Sequence, residues 1–480
     1  MKKFLSILLV LSLVAALALP ASAANEKQEY NGNPVIIVRG IDSSLYYEDG
    51  RNAISLNSGK VLGVLLECVI TRFALKDKDA LFDSFAEIVD DVFEPISCDA
   101  NGESTHPVSR KQYTKALSEY KFSYYDETEG GLTKEAAKRY GAENVYYFTY
   151  DYRKSPKQLA SELNSLVETA KADSGKDKVN LICASMGCIE TNAYFYYFDG
   201  YKNVDTAVYL SGAHNGLVVC GDALSGNISF NKDIVKETLS NLVDGNVFVR
   251  LLMDVFDALG AFSFLADYFT DWVANYFDEA NDVVLRDRLG TMPGLWSFCP
   301  DEYFDTAYEK IFAGHEADYP VCETIKEVGA FNKQTENILA KAYAEGVKIS
   351  FVSHYNTVSI PVYDNATMNS DGVIETRQTS NFATVAPYGE TLSNDYLASV
   401  SQENRKYISP DNVIDASTAL YKDNTWFVKN AVHVACNYGT EMNNFAFMLL
   451  ESKQQPTIYN IPGYTQFLTA DENQNLEILK

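Results

Sequence analysis

The chain is short of positive charge and of histidine. Its 480 residues carry 40 lysines and arginines against 65 aspartates and glutamates, a formal net charge of −25 at pH 7, and five histidines. Phosphate backbones and anionic membrane surfaces repel a protein of that charge. The composition therefore predicts no nucleic-acid partner, and it leaves few candidates for any reaction that needs an imidazole.

Metal-ligand spacing is also missing. Eight cysteines are spread along the chain without the paired spacing of a metal site. Cys299 and Cys322 are the most plausible disulfide pair, but the wide spacing of the other cysteines predicts no framework of bridges. We also predict no metal and no cofactor.

The apolar stretch at residues 4–19 is shorter than a comfortable membrane span, and no later run in the sequence is long and apolar enough to cross a bilayer. At the start, two lysines precede an apolar stretch at residues 4–19, which ends in Pro20 and small residues. This pattern is typical of a secretory signal peptide. We predict that residues 1–23 are cleaved between Ala23 and Ala24, which makes the mature protein secreted or extracytoplasmic with no integral membrane span. The alternative is an uncleaved anchor.

What the sequence does contain is an alternation of apolar strands with helices. Apolar-rich runs that predict strands occur at residues 34–38, 145–152, 179–183, 206–210 and 347–354, and the first of them is continuous, which is typical of a strand buried on both faces. Helical periodicity separates several of these runs. The alternation predicts an α/β fold with a doubly wound, mostly parallel sheet.

The alternation stops between residues 221 and 345, where helical periodicity continues without strands. We predict a helical cap, or lid, inserted there. The α/β core then consists of two parts, residues 24–220 and residues 346–480.

The predicted cap is rich in aromatic side chains, among them Phe262, Phe264 and Trp272. Aromatics at helical spacing are commonly ordinary core. Above a reactive site, however, they would both shield and bind an apolar substrate. We therefore predict these three residues as substrate-binding.

The most informative motif follows the third apolar run. That run leads into Ser185, which is followed by Gly187 and a helix-compatible segment. A serine hydroxyl is a poor nucleophile unless a tight strand-to-helix turn exposes it to a base and to backbone N–H groups. In the usual pattern, G-x-S-x-G, Cys183 takes the place of the first glycine. We interpret Cys183 as a small buried filler and predict Ser185 as the nucleophile of a serine hydrolase.

The five histidines are the candidates for the base that activates Ser185. With this turn, the base follows the acid in the chain and lies on the loop between the last strand and the last helix. His433 has that position. His354 precedes the acid candidates, His214 suits a structural role near the site, and His106 and His315 lie in polar stretches.

The acid should lie on a loop past the strand that follows the helical insertion. Asp364 and Asp371 both qualify. Asp371 is favoured because Gly372 permits a sharp turn that aims the carboxylate inward. Asp364 stays as the alternative.

An oxyanion hole is expected from two backbone N–H groups. One belongs to Met186, the residue after the nucleophile, and the other to Ile41 on the loop after the first strand. Gly40 precedes Ile41, and the lack of a Cβ there lets the loop approach the substrate carbonyl closely.

Four segments resemble a known family. Residues 38–45, V-R-G-I-D-S-S-L, resemble its oxyanion segment V-P-G-(I/L)-x-G-S-x-L, and residues 150–153, Y-D-Y-R, resemble its Y-D-W-R. The serine turn has the matching place, and residues 371–373 resemble its D-G-T-V acid motif. His433 stands before the last helix as the base of that family does. The chain thus resembles bacterial members of the lecithin:cholesterol acyltransferase-like branch of the α/β-hydrolases.

That resemblance implies an α/β-hydrolase fold and a triad of Ser185, Asp371 and His433, which acts on lipid or other acyl esters through an acyl-enzyme. The chain departs from the family where Arg39 replaces a proline and Ser43 replaces the second glycine of the oxyanion segment.

We predict an exported carboxylic ester hydrolase, a lipase or esterase, or an O-acyltransferase. Hydrolysis and acyl transfer share the acyl-enzyme and differ in whether water or an alcohol attacks it. The alternative is a catalytically silent hydrolase fold that serves as a surface binding module, which the altered turn and loop would explain.

Overall fold

The computed structural model describes residues 30–41, 45–53, 93–120, 130–227, 232, 254–255, 257–264, 266–268, 270, 281–357, 368–433, 435–437 and 440–480. Residues 33–480 belong to one compact unit. The predicted signal peptide, Ser43, Trp272 and Asp364 lie outside the described residues. Among the described helices, none combines the length and apolarity that a bilayer crossing needs.

Twelve strands occur in the described residues. They are β1 (Val35–Val38), β2 (Tyr46–Tyr47), β3 (Val108–Ser109), β4 (Val145–Phe148), β5 (Val179–Ala184), β6 (Val204–Leu210), β7 (Lys348–Tyr355), β8 (Thr384–Val385), β9 (Ile414–Asp415), β10 (Thr425–Lys429), β11 (Phe467–Ala470) and β12 (Leu476–Ile478).

Eight of these strands form the central sheet, in the order β12-β11-β10-β7-β6-β5-β1-β4. All neighbouring pairs are parallel except β11 and β12, which are antiparallel. The strands β2 with β3 and β8 with β9 form separate two-stranded sheets. The predicted α/β class with a mostly parallel sheet is confirmed.

The apolar runs explain why the strands at one end of the sheet are buried. Every residue of β1 and of β4 is buried, although successive side chains on a strand point to opposite faces. Both faces of these strands are therefore covered, as their lack of hydrophobic alternation predicts.

The α-helices whose bounds lie within the described residues are α1 (Gly130–Tyr140), α2 (Pro156–Ser174), α3 (Gly187–Phe198), α4 (Val218–Leu224), α5 (Pro293–Trp296), α6 (Asp301–Phe312), α7 (Cys322–Asn332), α8 (Thr335–Ala344), α9 (Thr376–Thr379), α10 (Asn394–Ser399) and α11 (Thr440–Leu450). A π-helix spans Asn281–Gly290. Helix α2 connects β4 to β5, and α3 connects β5 to β6.

Local sequence sets the bounds of α2. Ser155 and Gln158 form a reciprocal capping box at its start, and Pro156 occupies the first turn, where its missing N–H costs nothing. Gly175 ends the helix with φ of 65°, a left-handed conformation that suits glycine.

The described part of residues 221–345 is helical and contains no strand, in agreement with its predicted periodicity. Trp296 lies at the centre of a separate apolar cluster there, packed against the rings of Phe304 and Phe312. Cys299 and Cys322 belong to the same cluster as free thiols, so the pair considered from the sequence forms no disulfide.

Four adjacent strands end in the same way. The residue directly after β5, β6, β7 and β10 has a left-handed backbone: Ser185 (φ 52°), Ser211 (φ 44°), Asn356 (φ 69°) and Asn430 (φ 61°). This conformation is unfavourable for residues other than glycine, and it recurs where function or tight turns require it. At the carboxyl edge of the sheet, the backbone therefore turns sharply after each of four neighbouring strands.

Candidate active site

Ser185 lies at the carboxyl edge of the sheet, between β5 and α3. Its amide donates to the Leu210 carbonyl at 3.1 Å, and its own carbonyl accepts from Ala213 at 3.0 Å, both beside the end of β6. These bonds tie the left-handed turn to the neighbouring strand. The turn has the strained strand-to-helix geometry that exposes a nucleophile.

Two glycines allow the chain to pack closely around this turn. A Cβ at Gly187 would lie 2.3 Å from the Val38 carbonyl oxygen, which no side chain tolerates. A Cβ at Gly40 would lie 2.7 Å from the Cβ of Ser185. The loop after β1 and the start of α3 can therefore approach each other because both positions lack a side chain.

His433 and Asp371 complete a hydrogen-bonded chain with Ser185. The His433 Nε2 lies 2.9 Å from Ser185 Oγ, and its Nδ1 lies 2.7 Å from Asp371 Oδ2. The backbone amide of His433 also donates to the Asp371 carbonyl at 2.9 Å. The structure brings together the three side chains that the sequence predicted.

The loop of Asp371 orients its carboxylate. Oδ1 accepts from the amides of Val373 at 2.9 Å and Ile374 at 2.7 Å, which leaves Oδ2 directed at the imidazole. Gly372, with φ of 96°, makes this turn possible, as expected for a glycine after the acid.

Burial and charge have opposite effects on the pKa values of Asp371 and His433. Burial alone would raise the pKa of Asp371, but the charge and hydrogen bond of His433 and the Ile374 amide outweigh it and lower that pKa. Burial would likewise lower the pKa of His433, and the Asp371 carboxylate outweighs it and raises that pKa. The pair therefore favours an ionised acid beside an imidazole of increased basicity.

The predicted oxyanion donors lie on the two sides of the serine turn. Met186 is buried and directly precedes α3, and its amide has no acceptor among the described residues. Ile41 follows Gly40 and is 40% exposed. An amide without an acceptor beside a nucleophile is suited to bind a developing negative charge.

A cavity of about 200 Å³ opens beside Ser185 and His433. The described residues that line it are Ile37, Arg39, Gly40, Ile41, Leu132, Thr133, Tyr147, Ala184, Ser185, Val373, His433, Cys436 and Asn437. The wall is mostly uncharged, and none of these lining residues is an aspartate or glutamate.

Two of the predicted substrate-binding aromatics, Phe262 and Phe264, are described, and they lie away from the described lining of the cavity. Phe262 is buried, and Phe264 is half-buried and stacks on Tyr268 with ring centres 5.9 Å apart. Neither belongs to the described lining of the cavity. Their role in substrate binding stays a prediction, as does that of Trp272.

The other four histidines have different partners. His354 is buried, and its Nδ1 lies 3.0 Å from the Val432 carbonyl, next to His433 in the chain. His214 is buried with Nε2 3.0 Å from Asn381 Oδ1, the structural role expected from its place after β6. Burial lowers the pKa of both imidazoles to about 4. His106 pairs with Glu94 at 2.6 Å, and His315 is exposed.

Cys183 lies beneath the turn. Its side chain is fully buried, and its thiol accepts from the Thr191 hydroxyl at 3.0 Å. Burial raises the pKa of the thiol to about 12, which suppresses the thiolate. The residue in place of the first motif glycine is therefore a buried filler, as interpreted from the sequence.

Sequence reasoning did not find most of the cavity wall. Leu132 and Thr133 come from α1, and Tyr147 comes from β4, so no local motif links them to Ser185. Cys436 and Asn437 were easier to predict from the sequence, since they follow His433 within one helical turn. The signal that could have found Cys436 and Asn437 is their short distance along the chain from His433, the predicted base.

Comparison with known proteins identifies no family for the chain. No family model matches it, and no curated protein matches it. Among solved structures, a similar chain occurs in the crystal structure of the Tle4-Tli4 complex, with 11% identity, coverage of 67% of this chain and 74% of that chain, and a TM-score of 0.32. A likeness of this size carries no argument about function, so the site is interpreted from its own geometry.

Proposed function

We propose that the chain is a serine hydrolase of the α/β-hydrolase type that cleaves or transfers the acyl group of carboxylic esters. The observation that carries this proposal is the continuous hydrogen-bonded chain from Ser185 Oγ through both nitrogens of His433 to Asp371 Oδ2. It lies at a strained turn and opens on a cavity.

The first half-reaction forms an acyl-enzyme. His433 Nε2 takes the Ser185 proton while Oγ attacks the ester carbonyl, and Asp371 stabilises the imidazolium that results. The oxyanion is bound by the Met186 amide and, in this proposal, by that of Ile41. Collapse of the tetrahedral intermediate expels the alcohol, which receives its proton from His433.

In the second half-reaction, water or an acceptor alcohol attacks the acyl-enzyme carbonyl while His433 accepts its proton. Collapse of this second intermediate breaks the bond to Ser185 Oγ, which takes the proton back from His433. Attack by water completes ester hydrolysis, and attack by an alcohol completes transesterification. The protein was predicted to be exported, and abundant water outside the cell favours hydrolysis.

The remaining sequence predictions belong to the same proposal. We include membership of the lecithin:cholesterol acyltransferase-like branch, a cap over the site formed within residues 221–345, and lipid among the substrates. Four motifs in the matching order support membership of that branch. The cap is supported by the described part of residues 221–345, which is helical and contains no strand.

An activity-based fluorophosphonate probe tests the proposal. The wild-type chain should be labelled, Ser185→Ala should abolish labelling, and His433→Ala should reduce the labelling rate nearly as much, because triad members act as one unit. Ser211→Ala is the matched control, since Ser211 has the same left-handed geometry after the next strand but hydrogen-bonds to His354.

An unlabelled wild-type chain that is correctly folded by circular dichroism would refute the enzyme and favour the silent binding module. Near wild-type labelling of His433→Ala would show that another group is the base. A panel of p-nitrophenyl esters of increasing chain length then distinguishes a lipase from a short-chain esterase.

A further inference from the structure

The loop that carries His433 follows β10 and is held by its backbone. The amide of Asn430 donates to the Tyr355 carbonyl at 2.9 Å, at the end of the neighbouring strand β7. Two residues later, the amide of Val432 donates to Gln474 Oε1 at 3.2 Å. The position of the base therefore depends on what the backbone of residues 430–433 contacts.

The peptide bond between Val432 and His433 is held on both sides. Its carbonyl oxygen, which belongs to Val432, lies 3.0 Å from Nδ1 of His354. Its N–H, which belongs to His433, donates to the Asp371 carbonyl at 2.9 Å. Because a peptide unit is planar, hydrogen bonds at both of its ends fix the plane and the Cα of His433 that lies in it. The imidazole of His433 then extends from a fixed point toward Ser185.

His354 is itself rigidly placed. It lies in β7, between β6 and β10 in the sheet, and is paired with Val428 of β10. Its carbonyl accepts from the Thr376 hydroxyl at 2.9 Å, and Ser211 Oγ lies 2.9 Å from its Nδ1. The ring is buried. A side chain locked in a sheet can hold a neighbouring loop more precisely than another loop could.

The partners of His354 locate its proton. A carbonyl can only accept, so the contact with Val432 is a hydrogen bond when Nδ1 carries the proton, and the Ser211 hydroxyl shares that N–H. Burial lowers the pKa of His354 to about 4, so the ring is neutral at pH 7 and Nε2 is bare. Nε2 is buried without a hydrogen-bond partner among the described residues, which is unfavourable. An apolar side chain would avoid that cost, and the donor at Nδ1 is what histidine adds.

From these contacts we propose that His354 is a positioning residue for the base: its Nδ1–H holds the Val432 carbonyl and thereby aligns His433 with Ser185. The inference rests on the proposed function and adds to it a residue that acts through the base. The place of His354 in the chain, before the acid candidates, excludes it as the base and does not affect this role. Alignment matters because a displacement of about 1 Å can slow catalysis about 100-fold.

The test uses three substitutions that differ in where they place a donor. His354→Asn keeps an N–H on an atom bonded to Cγ, as Nδ1 is. His354→Gln carries the same amide one bond farther from the backbone, and His354→Leu has no donor. The asparagine and glutamine variants are thus matched controls for each other. The measured quantities are the rate constant kinact and the inhibition constant KI for the fluorophosphonate probe, referred to the folded fraction from circular dichroism.

We expect His354→Leu and His354→Gln to lower kinact by ~10- to 100-fold, the effect of a misplaced base. KI should not change, because His354 does not belong to the described lining of the cavity. His354→Asn should recover most of the lost rate. His106→Leu is the control for a histidine away from the loop, since His106 pairs with Glu94, and it should keep both constants.

Equal kinact values for the three His354 variants, whether reduced or as in wild type, would overturn the inference, because the place of the donor would then not matter. A raised KI with unchanged kinact would also overturn it, since the ring would then act on ligand binding. If His354→Leu does not fold, the comparison of His354→Asn with His354→Gln decides. An unlabelled wild-type chain would instead refute the proposed function, so the two failures are distinguishable.

Discussion

Single residues affect the stability of the fold as well as the chemistry of the site. Glu190, on α3, is fully buried, and neither of its carboxylate oxygens has a hydrogen-bond partner among the described residues. Burial raises its pKa well above the ordinary value, and the negative charge of Glu162 adds to the effect. A buried carboxyl of this kind is tolerated in its neutral form and is costly when ionised.

This burial predicts a pH-dependent stability. In the unfolded chain Glu190 ionises with a pKa of about 4.3, while the folded chain retains the proton to a higher pH. Stability is therefore lost as pH rises from the unfolded value toward the folded one. Glu190→Gln should be more stable than wild type, on the order of 1 to 3 kcal/mol at pH 8 and little at pH 4.

Chemical unfolding at several pH values measures this difference. Glu345→Gln serves as the control, because Glu345 is exposed. A stability difference for Glu190→Gln that does not change between pH 4 and pH 8 would contradict the account, since it would mean that Glu190 has the same pKa in the folded and the unfolded chain.

At the scale of elements, the serine turn depends on how closely α3 approaches β1. Gly187→Ala should disrupt this contact, since the new Cβ would lie 2.3 Å from the Val38 carbonyl oxygen, and backbone atoms cannot move away cheaply. We expect a loss of stability of about 1–3 kcal/mol, as for overpacked cores, and a probe labelling rate at least ~10-fold lower because Ser185 moves with the turn.

Gly175→Ala is the matched control for that experiment. Gly175 has a positive φ of 65°, but a Cβ there meets nothing within 4 Å. This variant should lose stability through backbone strain alone, about 1 kcal/mol, and keep the wild-type labelling rate. Equal labelling rates for Gly187→Ala and wild type would show that the turn tolerates a wider separation from β1.

The elements also show how much of the site the sequence could predict. The order of strands and helices placed Ser185, Asp371 and His433 at one edge of a parallel sheet, because carboxyl ends of parallel strands meet there. Strand ends were less certain: the apolar run predicted to residue 152 stops being a strand at Phe148. Residues such as Tyr150 continue as buried loop, which apolar composition alone does not separate from a strand.

The cavity wall was beyond sequence reasoning for a physical reason. Thr133 and Tyr147 line the site through the tertiary packing of α1 and β4, and long-range packing leaves no periodic signal in either segment. The triad could be predicted because its chemistry restricts residue types, whereas a cavity wall accepts almost any side chain of suitable size.

At the scale of the whole molecule, the net charge of −25 affects stability. Self-repulsion at this charge destabilises the compact state, and salt screens it, since the Debye length falls from about 30 Å at 0.01 M to about 8 Å at 0.15 M. The melting temperature should therefore rise by on the order of 1–3 °C between these salt concentrations.

Thermal unfolding in NaCl and in Na₂SO₄ at equal ionic strength measures this effect. Equal shifts in the two salts indicate screening, whereas a larger shift in sulfate indicates exclusion of the anion from the protein surface. A melting temperature that falls with added NaCl would mean that local ion pairs outweigh the repulsion of the whole chain.

The hydrogen bond between His433 and Ser185 joins residues 248 positions apart, and that between His433 and Asp371 joins residues 62 apart. Contacts of such separation form slowly, because closing long loops costs entropy before the contact offsets it. A chain that has formed only its first strands and the serine turn has no base for Ser185. Probe reactivity during refolding would therefore report when the segment after β10, which carries His433, packs beside Ser185. In a newly made chain, Ser185 would become reactive only after most of the chain has folded.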